Sequence, residues 1–298
     1  MRRTGITAVV FVLFGLLAGA AQAKNVSEQH VSQKQDDVVA YWTQARMKGA
    51  VPADRARQAG SPKGAAGKGG KTATYPYTSF EVQPPYTAFP ASTNGKVFFT
   101  EKGVDYVCSG TALTSGNHSV VWTAGHCVNE GPGAFVTNWS FVPAYRDGAR
   151  PLGTWTARDL LTTTQWQSTG DFSYDLGAAV VNTNGASTLT DVTGGRGIAF
   201  NYDANQHYVS YGYPAAKPFN GQRLWACDAQ LGTRDTSLAP PSMGIGCNMT
   251  GGSSGGGWIV GNDVYSVNSY HYTQVRDVMY GPYQGSVAQD LFNRAASR

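Results

Sequence analysis

The net positive charge of this 298-residue chain comes from its first third. Residues 1–95 contain 11 Lys and Arg against 5 Asp and Glu, whereas residues 96–298 contain 12 against 14, so the formal charge of +4 belongs to the N-terminal part. Residues 96–298 are nearly neutral and contain no cluster of Lys and Arg. Their charge therefore gives no reason to expect a nucleic-acid partner.

The first 23 residues have the pattern of a secretory signal. Arg2 and Arg3 precede the apolar run Ala8–Leu17, and small residues stand at Ala21 and Ala23. The run is shorter than a membrane-spanning helix requires, and no later segment resembles a membrane span. We therefore predict cleavage after Ala23, an extracellular location, and no membrane contact once the signal is removed.

Residues 24–72 are predicted to be a pro-segment that ends in a flexible linker. The stretch Asp36–Met47 has an acidic start, which suits a helix N-terminus, and its apolar residues lie roughly on one side, enough to dock on another surface. Gly60–Lys71 is rich in glycine and lysine, so we expect a solvated linker open to proteolysis and a mature N-terminus between residues 60 and 95. A disordered tail, a folding-assisting propeptide and an inhibitory propeptide all fit this composition.

After an extended lead-in over residues 73–95, the chain changes to short runs rich in Val, Phe, Tyr, Trp and Thr, separated by turn residues. The predicted strands are Lys96–Thr100, Ser119–Thr123, Gly177–Val181, Tyr208–Tyr211 and Asp263–Val267. No periodic helix is evident between residues 96 and 280, and Ser286–Arg294 is the best helix candidate. The pattern predicts an all-β protein, a sandwich or paired barrels, with a short C-terminal helix.

The four cysteines form two pairs that are local in sequence, each closing a loop of about twenty residues. Four cysteines allow three pairings, and an exported protein permits disulfides, so we favour Cys108 with Cys127 and Cys227 with Cys247. A Cys/His zinc site is the rival interpretation. Because no CxxC spacing is present and the compartment is oxidising, we expect neither a metal nor another cofactor.

A histidine and a serine carry the candidate chemistry. His126 stands in Thr123–Cys127, directly after a predicted strand, and Ser254 stands in the glycine-rich run Gly251–Gly257. A serine hydroxyl needs a neighbouring base to act as a nucleophile at neutral pH, and glycines let backbone amides converge on a developing oxyanion. We predict acyl transfer with Ser254 as nucleophile, His126 as general base, and the Gly252 and Ser254 amides as oxyanion donors.

The third member of such a site is a buried carboxylate that orients the imidazole. Asp171 and Asp175 both precede the predicted strand Gly177–Val181. Asp175 enters this apolar run directly, whereas Asp171 lies in a polar turn beside Gly170, so we favour Asp175. An aspartate that only caps its own turn is the structural alternative.

With these residues in the order His, Asp, Ser, the chain resembles the trypsin-like serine peptidases of the chymotrypsin fold, especially the secreted bacterial branch related to glutamyl endopeptidases. The resemblance covers residues 96–290 and rests on Thr123–Cys127, Tyr174–Ala178 and Gly252–Gly256. It implies two six-stranded antiparallel β-barrels, residues 96–185 and 186–298, with the site in the cleft between them. It also implies a secreted serine endopeptidase made as a zymogen, which we expect to act on protein or peptide substrates as a monomer.

Two positions depart from the family pattern. Ser253 precedes the nucleophile, where many members place an Asp that receives the new amino terminus after activation, so that ion pair cannot form here. This change is similar to what the glutamyl-type branch shows, and it leaves open how removal of the pro-segment controls activity. Gly257 replaces the usual proline, which affects loop stiffness more than chemistry.

The primary pocket is predicted from four positions. Asn248 stands six residues before Ser254, where members that cut after Arg or Lys have Asp, so a basic preference is not expected. Ser269 and Tyr270 hold the positions usually occupied by Ser and Trp on the strand lining the pocket. His271 could meet an acidic side chain, although it is displaced from the pocket histidine of the glutamyl branch. A neutral side chain is therefore the first expectation, and Glu is the second.

Two other functions fit parts of the sequence. Gly252-x-Ser254-x-Gly256 also matches the nucleophile elbow of α/β-hydrolase esterases, but that fold requires Asp and then His after the serine, and it alternates strands with helices. A catalytically silent paralogue that binds protein through its barrels is the other possibility. Intact residues at all three catalytic positions argue against it.

Overall fold

The computed structural model describes residues 25–53, 56–57 and 75–298. The predicted signal segment 1–23 and the predicted linker Gly60–Lys71 lie outside these residues. Within the described ranges, none of the helices is both long enough and apolar enough to pass through a bilayer.

The described residues form eighteen strands and five α-helices. The strands are β1 Val26–His30, β2 Val51–Pro52, β3 Ala56–Arg57, β4 Thr78–Glu81, β5 Asn94–Glu101, β6 Val104–Leu113, β7 Val120–Thr123, β8 Thr137–Pro143, β9 Trp155–Thr163, β10 Gly177–Val181, β11 Gly197–Ile198, β12 His207–Gly212, β13 Trp225–Asp235, β14 Ser242–Gly246, β15 Gly257–Val260, β16 Asp263–Val267, β17 His271–Tyr272 and β18 Val278–Gly281. The helices are α1 Gln35–Tyr41, α2 Gln44–Gly49, α3 Thr164–Thr169, α4 Leu189–Thr193 and α5 Ser286–Ala296.

The first barrel is a closed antiparallel sheet of six strands in the order β5, β6, β7, β10, β9, β8, with β8 also pairing with β5. Its interior is apolar because alternate residues of each strand point inward, as Val97 and Phe99 do on β5. Phe98, between them, points outward into a second apolar cluster, the outward cluster, whose members from the first barrel also include Val107, Val142, Ala144 and Tyr145. This outward cluster explains why β5 is apolar on both faces.

The second half contains an antiparallel run of six strands in the order β16, β15, β12, β13, β14, β18. β4 adds to β13, β11 adds to β16, and a bridge between Tyr270 and Tyr280 connects the chain after β16 to β18. Helix α5 buries Leu291 in the core that contains the first barrel. The architecture is thus the predicted pair of β-barrels with a short C-terminal helix, and an α/β-hydrolase fold is excluded.

The N-terminal residues lie on the first barrel. β1 pairs antiparallel with β9 along its whole length, from Val26 opposite Thr163 to His30 opposite Asp159. The predicted helical stretch Asp36–Met47 is divided into α1 and α2, because Thr43 begins a new helix by accepting a hydrogen bond from the Arg46 amide. Val38, Trp42 and Met47 of its predicted apolar side are buried, whereas Val39 and Ala45 of the same predicted side are exposed.

The sequence predicted the local elements well. All five predicted strands overlap observed strands, α5 contains the predicted helix, and both predicted disulfides, Cys108–Cys127 and Cys227–Cys247, are formed. The short helices α3 and α4 were not expected between residues 96 and 280. Each spans fewer than two turns, which is too short to produce a helical periodicity.

Candidate active site

His126 lies in a single 3₁₀ turn, Gly125–Cys127, that directly follows β7. The disulfide from Cys127 to Cys108 fastens this turn to β6. Gly125 is required on steric grounds, because a Cβ there would lie 2.8 Å from the Trp166 ring and 2.9 Å from Asp175 Oδ1. The histidine is therefore held rigidly against a carboxylate.

That carboxylate belongs to Asp175. Its Oδ2 accepts a hydrogen bond from His126 Nδ1 at 2.8 Å, and its Oδ1 accepts one from the His126 amide at 2.8 Å. Ser269 Oγ donates to Oδ2 at 2.5 Å, and both His126 and Asp175 are completely buried. An ionised carboxylate only accepts, so Nδ1 carries a proton in this contact, and the lone pair of a neutral imidazole is then on Nε2. This is the state that a general base needs.

Asp171, the other candidate, has a different environment. It caps the 3₁₀ turn Phe172–Tyr174, where its Oδ1 accepts a hydrogen bond from the Ser173 amide at 2.9 Å. A carboxylate used in this way stabilises its own turn. The structure therefore brings Asp175, and not Asp171, to His126.

Ser254 lies in the turn between β14 and β15, and its side of the cleft is tied to the first barrel by Ser109. The Ser109 amide donates to the Ser254 carbonyl at 2.7 Å, and Ser109 Oγ donates to the Gly252 carbonyl at 2.9 Å. Ser109 follows the disulfide-bonded Cys108 directly. One short piece of β6 thus holds both the histidine turn and the serine turn, and sequence reasoning did not identify it.

The glycines beside Ser254 have a conformation that other residues rarely adopt. Gly252 has a φ of +95°, and a Cβ there would lie 2.8 Å from the Tyr213 carbonyl and from Ala215 Cβ. Gly255 has a φ of +82°, and a Cβ there would lie 2.0 Å from Thr123 Oγ1. Within the part of the chain that the structure describes, the amides of Gly252 and Ser254 donate to no acceptor.

Asn268 is a second residue that sequence reasoning missed. Its side chain, fully buried, donates to the carbonyls of Tyr211 at 2.9 Å and Ser253 at 3.0 Å, while its Oδ1 accepts from Ser210 Oγ and Trp258 Nε1. Its backbone carbonyl accepts from the Gly255 amide at 2.7 Å. The only signal in the sequence was its place just before Ser269. Asn268 fixes the serine turn on the second barrel.

Ser253, which replaces the family's aspartate, is held locally. Its Oγ donates to the Thr250 carbonyl at 2.8 Å, and its own carbonyl accepts from Asn268. Residue 253 therefore has no carboxylate that could form an ion pair with a new amino terminus. The turn therefore has its shape without the ion pair that many family members use.

The hydroxyl of Ser254 is engaged with the N-terminal part of the chain. Ser254 Oγ donates to the carbonyl oxygen of Ala53 at 3.2 Å, and only 7 % of the serine is exposed. Among the described residues, His126 Nε2 has no hydrogen-bond partner. The two groups expected to exchange a proton are thus both present, but the hydroxyl points to a different acceptor.

The rival zinc interpretation concerns the same place. Ligand atoms of Cys108, His126 and Cys127 lie within 4.8 Å of one another. Both sulfur atoms, however, are joined in a disulfide and offer no thiolate. These residues do not form a zinc site in the oxidised protein.

A cavity of about 390 Å³ opens beside the serine turn. Its lining includes Asn248 and His271, two of the four positions from which the pocket was predicted, together with Arg276 and Asp277, which have opposite formal charges. The side chains of Ser269 and Tyr270 point elsewhere: Ser269 donates to Asp175, and the Tyr270 hydroxyl donates to Asp235 at 2.7 Å.

Comparison with known proteins gives the family. A protease named Anisep, from Arthrobacter nicotinovorans, is 49 % identical to this chain, with a TM-score of 0.67 over 70 % of this chain and 96 % of that one. The thermostable serine protease AL20, from an extremophilic microorganism, is 45 % identical, with a TM-score of 0.66 over 69 % and 97 %. The chain belongs to the serine proteases of the chymotrypsin fold.

The resemblance of this serine protease to the trypsin-like serine peptidases, inferred from the sequence, is thereby confirmed. A Glu endopeptidase solved in complex with MPD has a TM-score of 0.61 over 74 % of this chain and 97 % of that one, but at 18 % identity it supports the fold alone. No family model matches the chain, and the comparison with curated proteins returns no match.

Proposed function

We propose that this serine protease is a secreted endopeptidase that forms an acyl-enzyme on Ser254. The observation that carries the proposal is the buried pair in which Asp175 holds the Nδ1 proton of His126 at 2.8 Å. This pair leaves Nε2 as a proton acceptor in the cleft that also contains Ser254. The alternative of a silent paralogue lacks a comparable supporting observation.

The reaction follows from these atoms. Ser254 Oγ attacks the carbonyl carbon of a peptide bond while its proton moves to His126 Nε2. The resulting oxyanion accepts hydrogen bonds from the Gly252 and Ser254 amides. His126 then gives the proton to the departing amine. In the second half of the reaction a water molecule attacks the acyl carbon while its proton moves to His126 Nε2. His126 returns this proton to Ser254 Oγ as the acyl group leaves.

Asp175 stabilises this cycle by charge and by orientation. When Nε2 becomes protonated, the imidazolium lies against a carboxylate shielded from water, where electrostatic attraction is strong. The hydrogen bond from Ser269 and the one from the His126 amide prevent Asp175 from rotating away. Asp175 thus acts through His126, and it does not exchange the proton itself.

The cavity beside the serine turn is the proposed pocket for the side chain that precedes the cleaved bond. Arg276 and Asp277 bring opposite formal charges to its wall, and Asn248 is neutral. This balance favours an uncharged side chain. Glu remains the second choice because His271 and Arg276 are both present.

The proposed location is extracellular. The two disulfides are stable in an oxidising compartment, and they support the signal-peptide interpretation of the first 23 residues. Both sulfur bridges fasten turns that border the cleft. In a reducing compartment such as the cytosol both disulfides would open and these turns would lose rigidity, so we expect the active enzyme outside the cell.

A serine-directed fluorophosphonate tests the proposal. We expect the processed protein to be labelled, with the adduct found by mass spectrometry on Ser254 and absent from Ser254→Ala. Ser168→Ala, which removes an exposed hydroxyl from α3, is the matched control and should be labelled like the wild type. Labelling of Ser254→Ala to the wild-type extent would refute the assignment.

A further inference from the structure

The N-terminal segment, residues 25–57 with 25–53 and 56–57 described, runs from the outer edge of the first barrel into the cleft. Its end makes direct contact with the proposed nucleophile. Ala53 donates its amide hydrogen to the Val107 carbonyl at 3.0 Å, and its own carbonyl oxygen accepts from Ser254 Oγ at 3.2 Å. Ala53 is 6 % exposed, so the contact is closed to solvent.

The backbone of the segment also adds to a strand on each side of Ser254. β2 pairs in parallel with β6, with Pro52 opposite Val107. β3 pairs in parallel with β17, with Ala56 opposite His271. Adding a strand to an exposed edge is a common way to bind a peptide through main-chain hydrogen bonds. The segment therefore occupies the edge of β6 in the first barrel and, through β3, forms a separate two-stranded sheet with β17 at His271, beside the serine turn.

An apolar anchor holds the segment outside the cleft. Val38, Trp42 and Met47 are each at most 3 % exposed and pack against the outward cluster of the first barrel. The Trp42 ring lies 5.3 Å from that of Phe98, and its Nε1 donates to the Asn138 carbonyl at 2.6 Å. This contact occupies the outer apolar face of β5. A barrel built to stand alone would not present that face to water.

Polar pairs add specificity around the anchor. Tyr41 OH donates to Asp105 at 2.7 Å, and Arg46 donates to the same carboxylate at 3.1 Å. Gln33 and Asn138 exchange two hydrogen bonds, one through the Asn138 side chain and one through its amide, each 2.8 Å long. These contacts are complementary in shape and in hydrogen bonding. They resemble a binding interface more than a loosely attached tail.

The contact at Ser254 is unproductive for hydrolysis. The Ala53 carbonyl faces the hydroxyl with its oxygen, whereas attack requires the carbon to face Oγ and the oxygen to face the oxyanion donors. Neither the Gly252 amide nor the Ser254 amide donates to Ala53. Because the hydroxyl is committed to Ala53, it does not donate to His126 Nε2. The segment fills the site without presenting a bond for cleavage.

From these contacts we infer that the surface formed by the outward cluster, the edge of β6 and the Ser254 turn is a binding site for the N-terminal segment, and that the segment inhibits the protease both within the chain and after it has been cut from it. The inference rests on the proposed function. It also explains how activity is controlled although Ser253 replaces the aspartate that would receive a new amino terminus. Activity begins when the segment leaves, not when a terminus inserts.

The test uses the whole chain with a recognition sequence for a site-specific protease inserted between Ala66 and Gly67. After cutting, the segment is held only by noncovalent contacts, so dilution releases it. We expect the uncut chain to hydrolyse a short peptide at a low rate per molecule that is independent of concentration. The cut protein should be equally slow when concentrated, and its rate per molecule should rise at least tenfold on dilution.

Two variants assign the effect to the anchor. After cutting, the Trp42→Ala variant should lose the segment and gain activity at a protein concentration at least tenfold higher than the concentration at which the cut wild type does so. Val39→Ala, on the exposed side of α1, is the matched control and should behave like the wild type. If Trp42→Ala does not fold, the dilution series of the wild-type chain decides alone.

The inference is overturned if the uncut chain is as active as the fully diluted cut protein, or if the rate of the cut protein is independent of concentration. A rate that falls on dilution would also overturn it, because the segment would then be a required part of the active enzyme. Failure of the proposed function looks different: no sample would hydrolyse peptide or react with fluorophosphonate at any dilution.

Discussion

Asp175 accepts two hydrogen bonds from the same residue, one from the His126 amide and one from His126 Nδ1, each 2.8 Å long. The amide bond fixes the carboxylate to the backbone that carries the histidine, so the side-chain bond cannot shift independently. This double contact is the geometric basis of the proposed general base.

Asp175→Asn should lower kcat by about 10⁴ because an amide can donate to Nδ1 and hold the imidazole in the tautomer that cannot accept the serine proton. Asp171→Asn keeps an oxygen for the Ser173 amide, and it should change kcat by less than about twofold. Steady-state kinetics of both processed variants checks this. A large loss in the Asp171 variant alone would move the role to that residue.

Asn268→Asp should destabilise the protein strongly. The variant keeps the shape of the side chain but replaces two donor bonds with a carboxylate facing the Tyr211 and Ser253 carbonyls. We expect the free energy of unfolding to fall by roughly 3 kcal/mol or more, and kcat to fall with it, because the serine turn loses its support. Urea denaturation measures the first effect. The exposed Asn205→Asp should stay within about 0.5 kcal/mol of the wild type.

The two disulfides should differ in kinetic effect while having similar effects on stability. Their loops have sequence separations of 19 and 20, so removal of either pair should cost about 3 kcal/mol by the chain-entropy model. Loss of Cys108–Cys127 loosens the turn of His126 and should lower kcat. Cys247 lines the cavity, so loss of Cys227–Cys247 should raise KM instead. Equal effects on kcat would contradict this division.

Lys96 should make stability depend on pH. Burial lowers the pKa of its amine from 10.5 to about 7, although its Nζ donates to the Gly221 carbonyl at 2.8 Å and lies 4.8 Å from the Tyr145 ring. Between these two pH values the unfolded chain holds a proton that the folded protein has released. The free energy of unfolding therefore rises with pH in this window, by at most about 1.4 kcal/mol per unit.

Lys96→Met removes that dependence while keeping an unbranched side chain that is one heavy atom shorter. Relative to the wild type, the variant should be stabilised most near pH 6, where the wild-type amine is buried and charged, and this advantage should shrink as the pH approaches 10. Thermal or urea unfolding at several pH values measures the difference. A constant difference from pH 6 to pH 10 would show that Lys96 does not titrate in this range.

The parts of the structure that the sequence predicted depend on local patterns. The strand Gly177–Val181 is a continuous apolar run, and the disulfides join cysteines about twenty residues apart. Asp175 could be chosen over Asp171 because it directly precedes a buried strand. In each case the feature can be recognised from residues that lie within about twenty positions of one another.

The parts that the sequence did not predict depend on distant contacts. The polar sequence of Val26–His30 shows little alternation, and it becomes a strand only because β9 offers an open edge. Likewise, Ala53 meets Ser254 across 201 positions of sequence, and nothing local marks it. The sequence placed Asn268 only on the segment predicted to line the primary pocket, and its role was not predictable because its four side-chain partners come from three separate segments. Such contacts are a product of the folded barrels.

Cleavage of a peptide library by the processed protein, with Ser254→Ala measured in parallel, tests whether the protein is an endopeptidase with Ser254 as its nucleophile. We expect cuts at internal peptide bonds after uncharged side chains for the wild type, and no cuts above background for the variant. Undiminished cleavage by Ser254→Ala would contradict it.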